Sequence, residues 1–187
     1  MFLYAPTSDI TDDEKTIIEK YLSDGGKVYL ILGDTTSDTP NLDGIMSDYG
    51  LKKVSGYIAD TQRCYQGNYY AIFPQLSLSG DLGSGISNQM VLLLNSPGME
   101  KTDTDNDNLT VTPFMQTSDS GYAVTENDQT QGQYILGAVS TNAISADSSD
   151  SDSEDEDDES DATDTDTKTA RLTVLASASM ILSLIHI

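Results

Sequence analysis

The side chains that could carry chemistry are few. The chain of 187 residues holds one cysteine, Cys64, one histidine, His186, and no tryptophan. A cysteine nucleophile needs a base or strong local positive charge to hold its thiolate. Arg63 is adjacent, but the histidine stands at the far end of the chain. A Cys-His-Glu triad of amidotransferase type would also place its cysteine on a tight turn among small residues, and TQRCYQG is not such a turn. Ser118 and Ser120, in TSDSG, lack the GxSxG frame and a base, so the expectation is a loop that hydrogen-bonds its own backbone. Asp34, Asp38, Asp43 and Asp48 cluster around GDTTSDT and could be read as oxygen ligands for a hard cation or as a phosphotransfer receiver. Their spacing builds neither, and solvated loops and a helix start account for them. The loop's one glycine, Gly33, is not a phosphate cradle. DTDNDN, Asp103–Asn108, lacks the central Gly and final Glu of a calcium loop and reads as a hairpin turn. No catalytic, cofactor-binding or metal-binding residue is assigned.

Composition narrows the field further. Formal net charge is -22, from 31 acidic and 9 basic residues. Such a field repels phosphate backbones and argues against nucleic acid and against docking on anionic lipid. A single cysteine excludes an intrachain disulfide and any CxxC motif. Between Asp147 and Asp166 lie 12 of the acidic residues, in a stretch with almost nothing apolar. Such a stretch cannot form a core. The expected organisation is therefore an α/β domain over 1–144, a disordered acidic insertion over 145–169, and a final strand with a truncated tail over 170–187. If RLTVLA pairs back into the sheet, the acidic run is a loop rather than a tail.

The elements that would position any site are clearest near the start. Phe2–Ala5 reads as a strand stopped by Pro6. Thr11 and Glu14 form a capping box, T-x-x-E, with Asp12 and Asp13 at the positive end of the helix dipole. Ile17, Ile18, Tyr21 and Leu22 form the apolar stripe of a helix that Gly25 or Gly26 would close. KVYLIL, Lys27–Leu32, reads as a strand buried on both faces, of the kind found in parallel sheets. That makes a βαβ unit. PNLDGIMSDYG reads as a second helix, entered at Pro40 and stopped at Gly50. Further strands are expected over Leu51–Ile58, Tyr69–Pro74, Val91–Leu94, Leu109–Phe114, Gln133–Ser140 and Arg171–Ala176, with loops over Asp60–Gln66, Leu76–Ser87 and Gln116–Tyr122. The fold class is α/β, three-layered around a mostly parallel sheet.

The ordered set Pro6, Asp9–Thr11, Glu14, Ile18, Tyr21–Leu22, Gly25–Lys27, Asp34, Pro40–Leu42, Tyr49–Gly50, Gly56 and Asp60 resembles the auxiliary-domain family of ABC-type transport systems. These include the GldG-like proteins associated with gliding motility. Later segments match in order: YYAIFP, PFMQTSDSG, QYILGAVS and RLTVLASASM. The resemblance spans about residues 1–180 and implies a flavodoxin-like or class I glutamine-amidotransferase-like fold. It implies an extracytoplasmic domain tethered to the cell membrane outside this segment, with an ABC-type permease and ATPase as partners. It implies no enzymatic activity and no cofactor. Family chains carry an earlier strand and helix and continue past the segment matching Met180, so both ends are expected to be incomplete.

The expected function is thus a non-catalytic binding or scaffolding domain of an ABC-type membrane transport system. Its partner surface would be the loops Asp34–Pro40 and Asp60–Gly67, at the strand ends where open α/β sheets bind ligands. One alternative is an amidotransferase-like or hydrolase-type enzyme whose base lies on a missing segment. Another is an extracytoplasmic sugar- or lipid-binding accessory domain.

Overall fold

A computed structural model describes residues 1–33, 38–78, 90–144 and 168–180. The chain opens as the βαβ unit expected: β1 (Phe2–Tyr4), α1 (Asp12–Ser23) and β2 (Lys27–Ile31), with β1 and β2 parallel. The capping box on α1 is complete. The Glu14 amide donates to Thr11 Oγ1 (3.3 Å), and the Thr11 amide donates to Glu14 Oε2 (2.8 Å). At the other end Gly25 takes φ +87°, and the Gly25 and Gly26 amides donate back to Leu22 and Tyr21 carbonyls. These bonds satisfy carbonyls the last turn would otherwise leave unpaired. Ile18 and Leu22 are buried, whereas Ile17 and Tyr21 face outward, so the buried stripe is narrower than the sequence suggests.

The second helix, α2 (Pro40–Asp48), is started by a residue whose bonds to it span 32 and 33 positions of the chain. Thr39 stands at its N-cap but makes no side-chain cap. Asp9 does the work instead: its two carboxylate oxygens accept from the amides of Asn41 (2.8 Å) and Leu42 (3.1 Å). The Asn41 side chain then donates to the Ile10 carbonyl (2.8 Å) and to Asp12 Oδ1 (3.0 Å). The starts of both helices are thereby tied together. Gly50, at φ +71°, ends the turn after α2.

Then come β3 (Leu51–Val54), β4 (Tyr57–Asp60), β5 (Cys64–Tyr65), β6 (Asn68–Ile72), β7 (Gln75–Leu76), β8 (Leu93–Leu94), β9 (Gly98–Lys101), β10 (Leu109–Gln116), β11 (Gly121–Val124), β12 (Gln129–Gln131), β13 (Ile135–Ile144) and β14 (Lys168–Leu175). A short 3-10 turn, Ala178–Met180, closes the described chain. The main sheet runs β1-β2-β14-β13-β10-β7, with β9 and β3 joined through β13. It is mixed: β1, β2 and β14 are parallel, and the pairings beyond them are antiparallel. Two smaller sheets accompany it, β12-β11-β4 and β5-β6-β8.

Several expectations change. β14 is an inner strand, pairing β2 on one side and β13 on the other, and it begins at Lys168. Lys168 and Thr169 therefore belong to the sheet, and the acidic segment links two neighbouring strands, with Ile144 opposite Lys168. Residues 145–167 themselves lie outside the described residues, as do 34–37, 79–89 and 181–187. β2 is buried along one face, and on the other only at its end, where Ile31 has no exposed surface. Val28 and Leu30 point into the core, but Tyr29 is 36% exposed and stacks on Phe2 (ring centroids 5.6 Å apart). On β14, Ala170, Leu172 and Val174 are likewise buried while Thr169 and Arg171 are exposed. This alternation leaves one face open over the first part of both strands, and it ends where Ile31 and Leu175 are buried beside Leu30 and Val174.

The expected strand over Leu51–Ile58 is two strands in different sheets. Gly56, at φ +84°, breaks it; β3 goes to β9 and β4 to β11. Asp60–Gln66 is partly a hairpin, in which β5 and β6 turn through Gln66 (φ +50°) and Gly67 (φ +79°). Two successive positive φ values match the right-handed twist of a tight hairpin. Gln116–Tyr122 is not all loop, since β11 begins at Gly121. Nor is the segment from Asp103 to Asn108 a hairpin turn: β9 and β10 do not pair with each other.

Candidate binding groove

Among the described residues, Ser118 of the TSDSG segment meets Asp60 of the resemblance set, and the place where they meet is sealed. Asp60 has no exposed surface, and Ser118 is 1% exposed. The Ser118 hydroxyl donates to Asp60 Oδ1 (2.8 Å), and its amide donates to Oδ2 (2.7 Å). Gln62 and Arg63 amides also donate to Oδ1 (2.9 Å each). Ser118 Oγ in turn accepts from the Ser120 amide (3.1 Å), so TSDSG does bond to its own backbone as expected. Burial alone would push the Asp60 carboxyl up, but the bonds from Ser118, Arg63 and Gln62 outweigh it and hold the group below its ordinary value. The result is a latch that fixes the turn after β4 against the loop before β11. Both hydroxyl and carboxylate are fully engaged.

The other flagged residues are dispersed. Cys64 is half-buried on β5, and the neighbouring guanidinium turns elsewhere, to the Phe73 (2.7 Å) and Pro74 (3.4 Å) carbonyls. Asp43 accepts from the Thr39 hydroxyl (3.2 Å) and pairs with Lys53 (3.4 Å), while Asp38 and Asp48 are exposed. Asp34 lies outside the described residues, as does His186. Among the described residues no three His, Cys, Asp or Glu side chains gather as a metal site. In Asp103–Asn108, Asn106 bonds to Asn142 (3.2 Å) and accepts from the Asn108 amide (3.0 Å).

At the opposite end of the β4–β11 ladder from the latch lies an open groove of about 630 Å³, lined by Gly56, Tyr57, Tyr70, Asn95, Val124, Thr125 and Glu126. Its floor is laced by backbone bonds. The Ile58 amide donates to the Ser96 carbonyl (2.8 Å) and the Asn95 amide to the Tyr70 carbonyl (3.1 Å). Tyr57 on β4, Asn95 and Tyr70 on β6 are thus held side by side. Asn95 reaches this position with φ +44°, a left-handed conformation that asparagine tolerates. Gly56 is required: a Cβ there would strike the Val124 carbonyl. The Glu126 wall is a tight turn in which the Thr125 amide donates to the Asp128 carbonyl (2.9 Å) and the Asp128 amide to Thr125 Oγ1 (3.0 Å). Tyr57 is 40% exposed and Tyr70 37%.

A smaller recess of about 330 Å³ includes Lys52, Lys53, Glu100, Ala123, Asp128 and Tyr134. Ala123 and Val124 are successive strand residues and point to opposite faces, so the two hollows flank β11.

Of the two loops expected to meet a partner, Asp60–Gly67 contributes no residue to the groove, and Asp60 itself is buried. The other loop is described only from Asp38 to Pro40, where Thr39 is buried. Sequence reasoning missed Tyr57, Tyr70, Asn95 and Glu126. A signal existed, since four of the ten tyrosines fall between positions 57 and 70.

Comparison with known proteins shows a fold. No protein-family model matches the chain, and no curated protein does. Among solved structures, the chain is similar to the one titled "mmIFT52 N-terminal domain", with a TM-score of 0.55 at 12% identity. That likeness covers 96% of this chain and 66% of the other. At such low identity it defines a shared mixed α/β architecture. Among the described residues no helix is long and apolar enough to cross a membrane.

Proposed function

We propose that the chain is a non-catalytic binding or scaffolding domain of an ABC-type membrane transport system. In that role it sits outside the cytoplasm beside the permease and ATPase. The observation that carries the binding role is the contrast between two sites at opposite ends of the β4–β11 ladder. The Asp60–Ser118 pair, where a nucleophile would be sought, is closed and fully hydrogen-bonded. The tyrosine groove is open, with its backbone fixed in advance. Preformed concave surfaces with aromatic walls and a few polar groups suit recognition.

The transport context comes from the ordered residues that resemble the auxiliary-domain family. Those residues do specific structural work here. Asp9 caps α2, Thr11 and Glu14 cap α1, Gly25 and Gly50 end the helices, Gly56 separates two strands, and Asp60 forms the latch. A flavodoxin-like or amidotransferase-like descent belongs to the same proposal, supported by the parallel β1–β2–β14 unit behind α1. The test is purification of the full-length protein from its own membranes in mild detergent. Co-purification of a permease and an ATPase in fixed ratio is expected, and their absence removes the transport role.

A further inference from the structure

We infer that the groove between Tyr57, Tyr70, Asn95 and Glu126 receives an arginine or lysine side chain from a basic peptide segment of a partner. This deepens the binding role proposed above and rests on it. Three observations select a cation. First, two part-exposed tyrosine rings line the groove, and the face of an aromatic ring attracts positive charge. Second, among the described residues Glu126 is the one charged side chain in the lining, and it makes no ion pair there. Third, the chain's net charge of -22 concentrates cations near its surface and repels anions.

The local geometry favours a side chain over a diffuse charge contact. Glu126 stands on a turn closed by its own hydrogen bonds, and Asn95 and Tyr70 are joined through the backbone. The groups facing a ligand are therefore placed before it arrives. Asn95 and Thr125 add neutral polar groups that can accept from a guanidinium or ammonium while the tyrosines cover its apolar stem. Lys52 and Lys53 lie in the recess across β11 and do not line this groove. Lys53 is already engaged with Asp43.

The test is an amide-resolved NMR titration of the intact chain at physiological salt. The probes are the blocked peptide acetyl-GRGRG-amide, its GQGQG and GEGEG counterparts, and maltotriose as an uncharged rival. The arginine peptide is expected to shift the amides of Tyr57, Tyr70, Asn95 and Glu126 with saturation, and the other probes to leave them unmoved. Glu126→Gln should weaken binding about fivefold, and Tyr70→Ala by a similar factor, with Tyr70→Phe retaining most of it. Unchanged amide dispersion in the variants shows that they remain folded.

Arginine-peptide shifts confined to residues 147–166 would overturn the inference, as would binding indifferent to both Glu126→Gln and Tyr70→Ala. Equal shifts in the groove from maltotriose or the glutamine peptide would remove the cation claim and leave the binding role standing. That role fails separately, through loss of co-purification.

Discussion

At the residue scale the decisive group is Asp60. Its carboxylate accepts four hydrogen bonds and has no exposed surface, so it organises two loops at once. Asp60→Asn would turn an NH₂ toward at least one donor, and denaturant melts should show a loss of about 1–3 kcal/mol. The pH dependence follows from the direction of its shift. The folded carboxyl lies below the ordinary 3.8, so the unfolded chain binds its proton first as pH falls. The stabilisation is complete above that ordinary value and is lost as pH falls through the lower folded one. The stability gap between wild type and Asp60→Asn should therefore narrow with acid in that window; a gap that widens would contradict the assignment. Gly56 is the second residue that matters. Gly56→Ala meets both a positive φ and the Val124 carbonyl, so it should destabilise by about 1–3 kcal/mol and disturb Tyr57 and Val124 amides first. Asp60 and Gly56 could be read in the sequence as part of a resemblance. Their roles could not, because the partners, Ser118 and Val124, are distant in the chain.

At the element scale, short-range rules worked where the partners are local. Thr11 and Glu14 are three residues apart, so the capping box was legible, and Thr11→Ala should cost about 1 kcal/mol in a urea melt. The cap on α2 was hidden, because Asp9 comes from the far side of α1. Asp9→Ala should cost a similar amount, about 1 kcal/mol, and free the Asn41 and Leu42 amides to faster hydrogen exchange. Unchanged exchange there would mean that Thr39 can cap in its place. Apolar runs marked most strands but not their sheets. Leu51–Ile58 looks continuous, yet Gly56 sends its halves to different neighbours. The apolar run of β2 suggested burial on both faces, which holds at Ile31 but not at Tyr29, whose ring stays outside against Phe2.

At the scale of the whole molecule, the acidic segment divides the sequence but not the sheet. β13 and β14 pair along their length on either side of it, and β14 then joins the parallel unit from the start of the chain. Replacing 145–167 by a Gly-Ser linker about a quarter as long should remove about 1 kcal/mol of loop-closure cost. The melting temperature should then hold or rise by about 2–4 °C. A lower melting temperature would show that the acidic run makes stabilising contacts.

The central claim is that the face bearing the tyrosine groove meets the partner. Photo-crosslinking from a benzophenone amino acid at position 70 of the full-length protein, in its own membranes, tests it most directly, with position 29 on the open sheet face as the comparison. A position-70 adduct containing the permease subunit is expected, reduced by Glu126→Gln. An adduct from position 29 with none from position 70 would contradict it.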